Sequence, residues 1–138
     1  MIISEMYTSN RRDWETPKDL FDRFDSEFHF TLDACANDQN HKCERYFTER
    51  DDALKQEWHG NVWCNPPYGR GIEKWVEKAC HEAQTNADLV CLLVFARTDT
   101  KWFHKYLYQK PNVEIRFLQG RVKFVGGVRM HHSQVCCA

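Results

Sequence analysis

Seven consecutive apolar residues, Leu89-Val90-Cys91-Leu92-Leu93-Val94-Phe95, place the tightest limit on how this chain can fold. A run with no polar break has no face to give to water. It therefore suits a strand covered on both sides, in a sheet sandwiched by helices. The flanking patterns supply such helices. Ile72, Trp75, Val76, Ala79, Cys80 and Ala83 recur at i, i+3, i+4, i+7, i+8 and i+11, a continuous apolar stripe. Downstream, Thr100 to Tyr108 reads as helix, and Val113 to Leu118 and Val122 to Val125 as strands.

Towards the N-terminus, Thr16-Pro17 has the form of a helix start, a capping hydroxyl followed by proline in the first turn. Leu20, Phe21, Phe24 and Phe28 follow at helical spacing and predict an inward aromatic face. Residues 29–36 read as a short strand ending near Asp33. Residues 37–60 are polar and irregular, with one helical turn around 53–57, and 61–64 form a short apolar strand. Strands alternate with helices, so the expected fold is a single α/β domain over residues 1–138 with parallel strands at its centre. Residues 1–12 read as a flexible arm.

Charge and cysteine content narrow the function classes. The formal net charge is −1, so any affinity for nucleic acid must come from local patches. Candidates are Arg11-Arg12, Lys101 with Lys105 and Lys110, and Arg116, Arg121, Lys123 and Arg129, each equally readable as solvated surface. Seven cysteines without paired spacing read as reduced thiols. His29, Cys35, His41 and Cys43 lie close in sequence, as do His131, His132, Cys136 and Cys137. Neither group has the spacing of a structural zinc site, and no metal is expected. No apolar stretch is long enough to span a membrane.

The chemistry concentrates in Asn65-Pro66-Pro67-Tyr68-Gly69. The prolines forbid helix and central strand, so this is a loop at the end of the strand 61–64. In open α/β sheets ligands sit beyond the carboxyl ends of strands, where Asp33 and Asn65 both stand. The Asn65 side-chain oxygen and the Pro66 carbonyl can accept the two hydrogens of an aromatic amine such as that of adenine, localising its lone pair. Two prolines hold the acceptors in place beforehand, and Tyr68 offers a ring for base stacking. A tight turn is the competing reading of the same residues.

With these residues in view, the chain resembles the phage-type DNA N-6-adenine methyltransferases. The similarity is carried by Asp13-Trp14-Glu15-Thr16-Pro17 with Leu20-Phe21, by Phe30-Thr31-Leu32-Asp33-Ala34-Cys35-Ala36, and by Lys42-Cys43 with Tyr46-Phe47-Thr48. It continues through Asp52-Ala53-Leu54, Trp58, Asn65-Pro66-Pro67-Tyr68-Gly69, the stretch 96–103 and Gly120-Arg121-Val122-Lys123-Phe124. The resemblance implies a compact, abbreviated Rossmann-like methyltransferase domain. It implies S-adenosylmethionine as methyl donor, double-stranded DNA as partner, and the cytoplasm of a bacterial host as the place of action.

It further implies catalysis by Asn65, Pro66, Pro67 and Tyr68. Cofactor binding is implied for Trp14, Thr16, Pro17, Asp33, Ala34, Cys35, Asp52 and Asn65, and DNA contact for Tyr68, Arg97, Lys101, Arg121 and Lys123. Simpler roles remain open: a loop-capping aspartate for Asp33, a helix-start residue for Asp52, a salt-bridged turn around Arg97. Acceptance by RNA or a protein glutamine, or binding without turnover, are the alternatives to DNA methylation. Three departures from the family pattern stand out. No glycine-rich turn follows Asp33. Only 32 positions separate Asp33 from Asn65, too few for two strand–helix units. Residues 126–138 read as an atypical tail, where the family adds an apolar strand.

Overall fold

In the computed structural model, the residues described are 15–119 and, beyond them, the backbone of three short strands between 122 and 137. The apolar run forms the centre of strand β4 (Ala87–Val94), and β3 (Gly60–Cys64) pairs with it in parallel, Val62 beside Val90 and Cys64 beside Leu92. Side chains alternate along both strands. Val62, Cys64, Val90, Leu92 and Val94 face one core, and Trp63, Cys91 and Leu93 face another. All of them are buried, so the strand pair is covered on both faces as its composition requires.

Helix α1 (Lys18–Phe28) covers one face through Phe21 and Phe24, and Phe21 meets Trp63 edge-on at 5.3 Å. Helix α2 (Ile72–Thr85) covers the other with Val76, Ala79, Cys80 and Ala83, four members of the expected stripe. Fully burying an aliphatic or aromatic side chain is worth about 1.5–3 kcal/mol, so these two cores account for most of the force holding helices to sheet. The segment read as a helix over Thr100–Tyr108 is helical over 101–107 and widens into a π-helical turn at Phe103–Leu107, closed by the Tyr108 N–H on the Phe103 carbonyl at 2.8 Å. Widening the turn lets Trp102, Phe103 and Leu107 all reach the α2-side core.

The remaining strands are β1 (Leu32–Asp33), β2 (Arg45–Tyr46), β5 (Val113–Phe117), β6 (Val122–Lys123), β7 (Arg129–Met130) and β8 (Ser133–Cys137). The main sheet runs β2-β1-β3-β4-β8-β5, and β6 pairs with β7 separately. Strands β2, β1, β3 and β4 are mutually parallel, and β8 is antiparallel to both its neighbours. The fold is thus α/β with a four-stranded parallel core. The C-terminal residues, expected to form an atypical tail, place β8 between β4 and β5. Backbone hydrogen bonds to strands on both sides locate such a segment without an apolar run of its own. The arm at 1–12 lies outside the described residues.

The stretch between Asp33 and Asn65 holds no complete strand–helix unit, in keeping with its 32-residue spacing. The strand expected over 29–36 shrinks to Leu32–Asp33, extended by single bonds from Thr31 N–H to Asn61 and from Ala34 N–H to Trp63. No helix joins β1 to β2, and a single 3₁₀ turn (Ala53–Lys55) lies between β2 and β3. Gly60 opens β3 at φ +78°, where a Cβ would sit 2.4 Å from Thr31 Oγ1, so glycine permits β1 and β3 to close on each other.

Candidate active site

From β1 the chain steps outward to β2, then returns across β1 to form β3 on its other side. That reversal makes the carboxyl ends of β1 and β3 the place where an open α/β sheet leaves a crevice. A cleft of about 660 Å³ lies there. Its walls include Thr16, Asp33, Ala34, Cys35, Asp52, Asn65, Pro66 and Pro67, brought together from four separate stretches of chain. The cleft size falls within the roughly 300–1,000 Å³ usual for small-molecule sites.

Asp33 is 2% exposed. Its carboxylate accepts the Lys42 backbone N–H at 2.9 Å and the Cys35 N–H at 3.3 Å. Burial pushes its pKa up to about 6, partly opposed by those two N–H groups and by the nearby Lys42 and His41 charges. A glycine-rich turn is therefore replaced by a loop wrapped on one carboxylate. Lys42 continues outward to Glu15, 2.9 Å away in a half-buried ion pair, which fastens the start of the described chain over the cleft edge.

Cys35 also lines the cleft, its thiol pushed up to about 12 by burial, so it stays protonated and non-nucleophilic. Phe47 and Trp75, not among the expected site residues, add aromatic wall. Their spacing from Asp33 and Asn65 carries no periodic signal that would mark them. Asp52 takes a left-handed conformation, φ 53°, at the cleft edge, exposed and 3.7 Å from Lys55.

The Asn65 side chain is held at both ends. Its Nδ2 donates to Thr16 Oγ1 at 3.0 Å, and the Tyr68 hydroxyl lies 2.5 Å from its Oδ1 and 2.9 Å from the Leu93 carbonyl. A phenol carries one proton, so Tyr68 shares it between those two oxygens. Tyr68 was expected to present its ring to a base. Here the ring is 3% exposed and packs on Phe95 at 4.2 Å, which makes it a brace for the loop and not a stacking surface. Burial raises its pKa well above that of a free phenol, so it remains a donor. The strand end at Phe95 accounts for the difference, since it fills the space beneath the loop.

Thr16 departs from its expected role as well. The N-cap of α1 is Pro17, whose carbonyl accepts the Phe21 N–H at 3.1 Å, and no side chain caps the helix. The Thr16 hydroxyl serves Asn65 instead. Pro17 sets the entry to α1 and does not line the cleft.

Arg97 and Lys101 are exposed beyond the carboxyl end of β4, with the Arg97 guanidinium 5.6 Å from the Phe95 ring centroid. They lie outside the cleft. Arg116, part of one candidate basic patch, is committed to a bidentate pair with Glu27 at 2.8 and 2.7 Å that ties β5 to α1. Trp14 and the side chains of Arg121 and Lys123 lie outside the described residues. Among the described residues no group of three or more His, Cys, Asp or Glu side chains is placed to hold a metal ion, and no helix is long and apolar enough to cross a membrane.

Comparison with known proteins places the chain among adenine methyltransferases. Over 93 residues, 65% of this chain, the sequence is 33% identical to the DNA N-6-adenine-methyltransferase of Escherichia phage T1, and the match spans 38% of that protein's length. Over 63 residues it is 35% identical to the "Putative methyltransferase YfdM" of Escherichia coli (strain K12), covering 40% of this chain and 69% of the other. The family model for DNA N-6-adenine-methyltransferase (Dam) matches residues 3–136. With a match across nearly its whole length, the chain belongs to the DNA N-6-adenine-methyltransferase (Dam) family.

Proposed function

We propose that this chain transfers a methyl group from S-adenosylmethionine to the exocyclic amine of adenine in double-stranded DNA, through a Rossmann-like site abbreviated in its cofactor half. One observation carries the reading: the Asn65-Pro66-Pro67 loop opens onto the same cleft as the buried carboxylate of Asp33. A buried carboxylate with a raised pKa is stabilised in its charged form by a cation, and the proposed donor carries both an ammonium and a sulfonium. Phe47 and Trp75 offer apolar wall for its purine.

When bound, the donor supplies an electrophilic methyl group on a sulfonium leaving group. The protein's part is alignment and charge placement. Asn65 Oδ1 and the Pro66 carbonyl accept the two amine hydrogens of adenine, drawing the nitrogen towards tetrahedral geometry as its lone pair attacks; the methylated nitrogen then gives up one of those protons to water. The backbone around two consecutive prolines holds the acceptors without reorganisation. Arg97 and Lys101, exposed beyond the carboxyl end of β4, would meet phosphates and position DNA without reading its sequence.

The test is transfer of a labelled methyl group with unmethylated duplex DNA, RNA and total protein offered side by side. Label recovered as N-6-methyladenine in DNA is the expected result. Label in RNA or in protein glutamine would replace this reading with one of its alternatives.

Asp33 gives the reading a pH signature. The folded state holds the Asp33 proton more tightly than the unfolded chain does. Its contribution to stability is therefore full below the ordinary aspartate range and is lost as pH rises past about 6. A cationic ligand favours the ionised form and reverses the preference. Affinity for S-adenosylmethionine should thus hold steady above pH 7 and fall below pH 6, approaching about tenfold per pH unit. Titration calorimetry from pH 5 to 7.5 reads this directly. An Asp33→Asn variant should bind more weakly at pH 7.5 and lose the dependence.

A further inference from the structure

We propose that Thr16 is a positioning residue for Asn65, its hydroxyl acting with that of Tyr68 to hold the Asn65 carboxamide in place at both ends. The inference rests on the reading of Asn65 as an acceptor for the adenine amine, and it gives Thr16 a task beyond lining the cleft.

Its first support is where the Thr16 hydroxyl goes. A threonine before proline at a helix start ordinarily caps the helix, yet α1 has no side-chain cap. The hydroxyl is instead directed at Asn65 Nδ2, 3.0 Å away, on a residue 2% exposed. The second support is the opposite end of the same carboxamide, where the Tyr68 hydroxyl lies 2.5 Å from Oδ1. Thr16 and Asn65 are 49 residues apart, so this bond joins two segments that meet only at the crevice.

Position matters because the Asn65 acceptor has to meet the amine at hydrogen-bonding distance and angle. A carboxamide held at one end can swing about that contact, and a displaced Asn65 would lose the amine. The Tyr68 hydroxyl, its one proton shared with the Leu93 carbonyl, lies against Oδ1 on one side. The Thr16 hydroxyl accepts from nitrogen on the other. An amide oxygen has two lone pairs, so the bond from Tyr68 is compatible with a second donor from substrate. Thr16 also borders the cleft, and the residue that holds the catalytic amide is therefore the one the methyl donor would touch.

The experiment compares Thr16→Val, close in shape but lacking the hydroxyl, with Thr16→Ser in the full chain. Loss of one positioning hydrogen bond should lower kcat about tenfold or more in Thr16→Val, with KM for S-adenosylmethionine within about threefold of the parent. Thr16→Ser should recover most of kcat. A readout independent of turnover accompanies this. The side-chain ¹⁵N–¹H₂ resonances of Asn65, identified by their disappearance in Asn65→Asp, should shift in Thr16→Val and return in Thr16→Ser.

An unchanged kcat with a raised KM for the donor would overturn the proposal and leave Thr16 as cleft wall. So would Asn65 resonances that ignore the valine. Absence of methyl transfer by the parent protein would instead sink the proposed function, and the resonances would still decide whether Thr16 holds the amide.

Discussion

Asn65→Ala is expected to slow methyl transfer by about 10²–10³-fold, the loss seen when one preorganised hydrogen-bonding group is removed from a reaction centre. Asn65 is half-buried and held by Thr16 and Tyr68, so its carboxamide waits in place before substrate arrives. Affinity for S-adenosylmethionine should change by no more than about tenfold, since the Asp33 carboxylate and the aromatic wall remain and at most about one net hydrogen bond is lost. Single-turnover rates beside calorimetric dissociation constants separate the two effects. A variant that transfers methyl groups at the parent rate would remove Asn65 from the chemistry and leave the loop as a turn.

The second large effect lies away from the cleft and concerns stability. Glu82 on α2 is 1% exposed, and its carboxylate accepts the Trp58 backbone N–H at 2.6 Å and Asn86 Nδ2 at 3.1 Å. Lys78 Nζ lies 3.2 Å away. Trp58 is itself fully buried, its indole N–H on the Ala53 carbonyl at 2.9 Å. Glu82 therefore anchors the 3₁₀ turn at Ala53–Lys55, whose first residue lines the cleft, to the helix behind it. Glu82→Ala orphans a buried N–H and strips Lys78 of its partner, a loss of about 3–5 kcal/mol. Total stabilities run only about 5–15 kcal/mol.

A fall in Tm of roughly 10 °C or more should follow, read by calorimetry. Glu82→Gln keeps an acceptor for Trp58 and should lose less. Burial alone would raise the Glu82 pKa, but the Trp58 N–H, the Asn86 amide and Lys78 outweigh it and hold the carboxyl below its usual range. The folded pKa is depressed. The parent should thus keep this contribution above the ordinary glutamate range and lose it as pH falls through the folded value, a loss the alanine variant should not show.

Much of this architecture was legible because its signals are periodic or sterically absolute. An unbroken apolar run suits a doubly covered strand, and β4 is one. The stripe from Ile72 to Ala83 wrote α2, and two prolines wrote the loop at Asn65. Asp33 was placed at a strand end correctly even though that strand is two residues long.

What escaped were features set by partners distant in sequence. Strand β2 has two residues, too few for alternation to register, and β8 exists through backbone pairing on both sides. Thr16 has the look of a cap, and nothing local reveals that its hydroxyl is directed 49 residues away. Tyr68 belongs to a motif that suggests stacking, but Phe95 beneath it decides its burial. Glu82 occupies one turn of an otherwise ordinary polar helix face, and only Trp58 across the gap turns it inward.

The short link between β1 and β3 has a consequence for how long the protein lasts. Of residues 37–52 only Cys43 is buried, and Asp38, Asp51 and Asn37 order the rest through polar contacts. Segments with so little apolar cover open locally at small free-energy cost. They are where a protease first finds extended chain. A ligand seated against them at a hundred times its dissociation constant adds about 2.7 kcal/mol against that opening. On the proposed function, the cellular half-life of this protein would then track the supply of its methyl donor, and scarcity would clear the idle enzyme first.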